Sequence, residues 1–277
     1  MVHDLAWRRF PDAFPARGRR WHEAALARAL QRGDLFMVPS APTADDLVAA
    51  GAPAGRVEVV EEGCDHLDPP DIPGAAALLE RIGVKGAFVL SVSTIEPRKN
   101  LTRLAAAFTL AAPRLTDPRT ALVVVGPTGW DSGSRNSGAS APDWRSGPSS
   151  GGGGLSAGDR GGPVVLTTGT VSGGVLTALY QRALAFVYVP LFEGFGLPPL
   201  EAMMLGTPVV ASPIPSTGSA AWEVDPTDVD AIAEGLVRVC TDRAQRESLS
   251  ELGRDRAAGL TWRTAANRHC ELWQSLL

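Results

Sequence analysis

The folding options of this chain are limited most by a series of short runs that are apolar over most of their length: AFVLSVS (87–93), ALVVVG (121–126), VVLTTG (164–169), LAFVYV (184–189) and TPVVAS (207–212). A strand wetted on one face alternates apolar and polar residues, whereas an unbroken apolar run marks a strand buried on both faces. Helix-period segments at 101–112, 173–183 and 197–206 lie between these runs. Strands alternating with helices predict a parallel sheet covered on both sides. The expected fold is α/β, with a doubly wound Rossmann-like domain over residues 68–255 and a helix at 256–277 that returns toward the N-terminal part. Residues 1–67 form a partial N-terminal domain. It holds a helix over Arg17–Arg32, a strand over Leu35–Ser40, a helix from Thr43 to Ala50 and a strand ending at Gly63. Thr43 and Asp46 have the spacing of a capping box. DPPDIPGA (68–75) reads as a linker or turn cluster. The Gly/Ser-rich stretch 131–162, with GGGG at 151–154, reads as a flexible surface loop.

Composition removes several classes of function. The 277 residues carry a formal charge of −4, and a nucleic-acid binder ordinarily shows a domain-wide basic excess. No apolar run approaches the ~20 residues of a membrane span. Cys64, Cys240 and Cys270 are too widely spaced for a zinc knuckle or a disulfide framework, which points to a reducing cytoplasm. The first helix is Arg-rich (Arg17, Arg19, Arg20, Arg28, Arg32). A basic amphipathic helix of this kind suits peripheral contact with an anionic membrane at its inner face. No strand leads into a G-x-G-x-x-G turn, so a nicotinamide-dependent oxidoreductase is disfavoured.

In doubly wound folds ligands bind beyond the carboxyl ends of the strands. The loop after 184–189 reads PLFEGFGLPPLEAMM. Gly194 and Gly196 permit a backbone close to a ligand, and Pro198 and Pro199 suit a first helical turn. The free N–H groups there form an anion site. Glu193 and Glu201 flank it, and a carboxylate accepts two hydrogen bonds, as a vicinal diol requires.

EGFGLPPLEAMMLGTPVVAS, together with STIEPRKNL (93–101), VVVGPTGW and TGTVSGGVLTALYQRALAFVYVP, resembles the retaining, GT-B-fold family 4 glycosyltransferases, in particular a mannosyltransferase-like group. The resemblance implies a nucleoside-diphosphate sugar as donor, a saccharide or lipid-linked acceptor, retention of anomeric configuration and no obligate metal. It implies that Glu193 binds donor-sugar hydroxyls, that Glu201 holds the ribose, and that the backbone N–H groups of Phe195, Gly196 and Leu197 approach sugar and phosphate. Lys99 matches the lysine on the diphosphate, with Arg98 beside it, and His3 resembles a histidine near the donor sugar. His22, His66 and His269 show no partner pattern and read as structural. Ser93 stands where the family has glycine, and SPIPSTGSAAWEVDP (212–226) is shorter than the usual segment, which carries an acid after proline. Residues 1–67 match only the closing part of the family's first domain. The resemblance therefore implies a chain lacking most of that domain, with two strands that expose apolar faces. The alternative function is a catalytically inactive, nucleotide-sugar-binding remnant.

Overall fold

The computed structural model describes residues 1–127 and 163–277, so the expected Gly/Ser loop at 131–162 lies outside the described residues. Strands β3 (Phe88–Val92), β4 (Ala121–Val125), β5 (Val164–Gly169), β6 (Ala185–Tyr188), β7 (Val209–Ala211) and β8 (Trp222–Glu223) form a six-stranded sheet in the order β5-β4-β3-β6-β7-β8. Every adjacent pair is parallel. Counted from β3, this is the doubly wound dinucleotide-binding order, which reverses direction between its first and fourth strands.

Each strand from β3 to β7 feeds two cores, because successive side chains point to opposite faces. Phe88, Leu90, Val123, Phe186 and Val209 face one side, with α4 (Ile72–Arg81), α6 (Gly173–Arg182) and α7 (Leu197–Met204) over them. Val89, Leu122, Val124, Val187 and Val210 face the other, under α5 (Leu101–Ala111) and α8 (Val229–Thr241). The doubly covered sheet expected from the unbroken apolar runs is what the chain forms.

The N-terminal part is a two-stranded parallel sheet, β1 (Phe36–Val38) with β2 (Val57–Val59), flanked by α1 (Ala6–Arg9), α2 (Ala16–Arg32) and α3 (Ala41–Ala49). Its apolar faces are not left open. Phe36 and Val38 pack with Leu5, Trp7, Leu26 and Leu47. Met37 and Val60 pack under Ala265 and Leu272 of α10 (Trp262–Gln274), which follows α9 (Arg243–Ala258). Among the hydrophobic residues of the two strands, only Val59 has a substantial exposed surface.

Two local expectations need correction. Ser40, not Thr43, caps α3: its hydroxyl accepts the N–H of Thr43 at 3.3 Å, and Pro42 occupies the first turn. The segment 68–75 is a linker only at its start, since Asp71 accepts the N–H of Gly74 at 2.9 Å and caps α4. Pro73 sits in the first turn, where a missing N–H is tolerated. No helix among the described residues is long and apolar enough to cross a membrane.

Candidate active site

The strand order reverses between β3 and β6, and the loops leaving these two strands carry Arg98, Lys99 and Glu193. After β3 the chain makes a short 3-10 turn, Pro97–Lys99, that ends at Asn100 with φ 60°. Asn tolerates this left-handed conformation better than other side chains. Its amide donates to the carbonyls of Val189 (3.0 Å) and Pro226 (2.7 Å), pinning the turn to the loops after β6 and β8. The Leu191 N–H donates to the Arg98 carbonyl at 3.0 Å, so the two loops are also joined by backbone.

Glu193 Oε1 collects three donors: Lys99 Nζ at 2.5 Å, Tyr188 OH at 2.9 Å and Arg98 Nη1 at 3.0 Å. Its Oε2 has no donor among the described residues. Arg98 also reaches Glu96 Oε1 at 2.8 Å. These side chains are nearly buried, at 11–16 % exposure. Burial works against the Arg98 charge, but Glu193 and Glu96 outweigh it and hold the guanidinium above its ordinary value. Burial, and then the Glu193 charge, push the Tyr188 hydroxyl well above its ordinary 10.0.

Glu201, at the fifth of the eight positions of α7, is tied at both oxygens. Tyr180 OH donates to Oε2 at 2.8 Å, and His66 Nε2 lies 3.2 Å from Oε1. The chain has only two tyrosines, and each holds one of the two glutamates. Phe186 bridges them, with ring centroids 5.4 Å from Tyr180 and 6.1 Å from Tyr188.

Between the glutamates the backbone is tightly constrained. A Cβ at Gly194 would collide with the His3 carbonyl oxygen, and the Gly194 carbonyl accepts the Ser40 hydroxyl at 2.5 Å. Gly196 has φ +100° and lies against Ile214 and Ser216, so both the conformation and the space call for glycine. The N–H groups of Phe195 and Gly196 have no acceptor among the described residues. The Leu197 N–H heads α7, an N-terminal donor without an intrahelical partner. Pro198 and Pro199 carry no N–H, so this anion site has fewer donors than an ordinary helix start. The Phe195 ring is buried in the core and its carbonyl accepts from the Ser216 N–H at 3.1 Å.

His3 places its carbonyl on Gly194 while its imidazole, 68 % exposed, meets Glu62 Oε1 at 2.9 Å. Two buried hydroxyls, Ser93 Oγ after β3 and Ser216 Oγ beside Gly196, have no partner among the described residues. A buried hydroxyl without a partner is costly unless a ligand or water completes it. Sequence reasoning missed Tyr180, Tyr188, Asn100 and His66. The tyrosines lie inside apolar or helical runs where packing accounts for them, and His66 meets Glu201 only through the fold. No metal-type cluster of His, Cys, Asp and Glu occurs among the described residues.

The doubly wound parallel sheet, with Glu193, Arg98 and Lys99 at its switch point, is the architecture of one Rossmann-like domain of a GT-B-type fold. Comparison with known proteins agrees. Residues 80–256, more than half of the chain, match the glycosyl transferases group 1 family, and the chain belongs to that family. It is 28% identical to the O-antigen chain mannosyltransferase B of Escherichia coli, over 99% of this chain and 69% of that protein. It is 30% identical to the serotype-specific mannosyltransferase WbdA of E. coli, over 73% of this chain but 23% of WbdA. Among solved structures, Anabaena HepE in complex with UDP and glucose superposes with a TM-score of 0.72 at 18% identity, covering 96% of this chain and 69% of HepE. Sucrose-phosphate synthase from Thermosynechococcus elongatus gives 0.72 at 24% identity, covering 99% of this chain and 66% of the synthase.

Proposed function

We propose that this glycosyltransferase chain moves a hexose, of the mannose type, from a nucleoside-diphosphate sugar to a saccharide or lipid-linked acceptor with retention and without an obligate metal. The observation that carries the reading is Glu193 at the switch point, with one oxygen bound by Lys99, Arg98 and Tyr188 and the other open. The open oxygen is free to take a sugar hydroxyl. Lys99 and Arg98 on the loop after β3, and the N–H groups of Phe195, Gly196 and Leu197 on the loop after β6, are the donors we assign to the diphosphate.

In the reaction the bond from the anomeric carbon to the β-phosphate oxygen breaks and the acceptor hydroxyl oxygen bonds to that carbon, its proton passing to the departing phosphate oxygen. The leaving nucleoside diphosphate gains negative charge, which fixed cations and amide donors stabilise without reorganising. Glu201 takes the ribose hydroxyls. His3 belongs to the sugar side of the site, an assignment supported by its carbonyl against Gly194. The mannosyltransferase relatives support the mannose-type sugar, and HepE with UDP and glucose supports a nucleotide-sugar donor.

A peripheral membrane contact is supported by α2, where Trp21 is 63 % exposed and Arg17, Arg20, Arg28 and Arg32 are exposed along the same helix. A cytoplasmic location at the inner face of the membrane accords with this.

Transfer from a panel of nucleoside-diphosphate hexoses tests the assignment. Glu193→Gln and Lys99→Ala are each expected to lower kcat by roughly a hundredfold or more, the scale of losing a transition-state contact. Unchanged turnover in either variant refutes the site. Nucleotide binding without transfer by the unmodified chain favours the binding-remnant alternative.

A further inference from the structure

Glu201 is held by a short relay that begins on α10, far along the chain. The loop after β2 is fastened to the start of that helix. The Cys64 N–H donates to the Leu260 carbonyl at 3.1 Å, and Asp65 Oδ1 accepts the Trp262 N–H at 2.6 Å. Any side chain at Gly63 would collide with the Trp262 backbone. This fastening brings the Trp262 indole Nε1 to 3.0 Å from His66 Nδ1, with the rings edge to face at 5.9 Å.

An indole N–H is a donor only, so His66 Nδ1 must accept. In the neutral imidazole the proton then resides on Nε2. That nitrogen lies 3.2 Å from Glu201 Oε1. Each carboxylate oxygen offers two acceptor positions. His66 occupies one on Oε1 and Tyr180 one on Oε2. One position per oxygen remains, and the carboxylate plane is fixed from both ends.

We propose that His66, in the tautomer set by Trp262, is a positioning residue that orients Glu201 so that its two remaining acceptor positions fit the adjacent hydroxyls of a ribose. The proposal rests on the reading of Glu201 as the ribose ligand. His66 and Trp262 therefore contribute to selection of ribonucleotide over deoxyribonucleotide donors without touching the sugar being transferred.

The test is a selectivity ratio, measured by calorimetric titration of the full chain with UDP and 2′-deoxy-UDP and with GDP and 2′-deoxy-GDP. The unmodified chain is expected to favour the ribonucleotide by roughly tenfold to a hundredfold, the range for a hydrogen bond to a charged group. His66→Leu and Trp262→Phe are each expected to reduce that ratio by about threefold or more, and His66→Gln, whose amide N–H can replace Nε2–H, to keep it. A merely structural role for His66 would weaken both nucleotides in parallel and leave the ratio intact, which would overturn the proposal. Glu201→Gln separates the two levels. If it lowers the ratio while His66→Leu does not, the relay is wrong and the ribose assignment stands. If Glu201→Gln leaves the ratio unchanged, or no nucleoside diphosphate binds, the ribose assignment fails as well.

Discussion

Glu193 and Glu201 were legible in the sequence because an acid, a glycine-rich turn and a proline-started helix form a local pattern. Their partners were not. Tyr188 looks like one more residue of a buried strand, and only its place at the carboxyl end of β6 brings its hydroxyl to 2.9 Å from Glu193. Tyr180 is fully buried and spends its hydroxyl on Glu201. For both phenols, burial and then the adjacent glutamate raise the pKa well above 10.0. As these are the chain's only tyrosines, an alkaline titration of the folded protein should show no tyrosinate absorbance until it unfolds. The sign follows from linkage: above the unfolded pKa the unfolded chain loses phenolic protons that the folded chain retains, so stability falls as pH rises. A tyrosinate signal near pH 10 with native circular dichroism would contradict the two hydrogen bonds.

At the scale of elements, the apolar strands were readable, down to the three residues of β1 and β7, whereas β8, α4 and the turn after β3 were not. β8 has two residues, Trp222 and Glu223, too few for any periodicity. α4 hides behind prolines, although Asp71 followed by Pro73 is itself a start signal. The turn Pro97–Lys99 depends on an element no local pattern reveals, since Asn100 ties it to Val189 and Pro226, distant in sequence. Asn100→Ala removes the hydrogen bonds to the buried Val189 carbonyl and the half-buried Pro226 carbonyl, and leaves at φ 60° a side chain that forms no hydrogen bond there. A loss of about 2–4 kcal/mol in urea unfolding is expected. Because the turn carries Arg98 and Lys99, nucleotide affinity should fall in the same variant. Retained stability and retained affinity together would show that the turn is held by other means.

For the whole molecule, the order β5-β4-β3-β6-β7-β8 was not written in any one segment. Parallel strands separated by helices gave the layers, while the order comes from right-handed crossovers and from which helices share a face. The N-terminal part joins this body through Gly194, gripped by Ser40 and His3, and through α10, which covers Met37. On its far surface α2 displays Trp21 among arginines. The chain is expected to sediment with vesicles containing acidic phospholipid and not with neutral ones, as each surface cation contributes about 1 kcal/mol of attraction that salt screens. Arg17→Glu with Arg20→Glu should abolish sedimentation, and equal pelleting with both vesicle types would exclude an electrostatic contact. The clasp of Lys99 and Arg98 on Glu193 has a further bearing on the molecule as a whole. Glu193 and Glu96 already sit against the two cations, so a bare anion drawn from solution must compete with carboxylates in place. On the proposed reading, a guest that brings both a phosphate for the cations and a hydroxyl for the open Glu193 oxygen is expected to bind in preference to free phosphate.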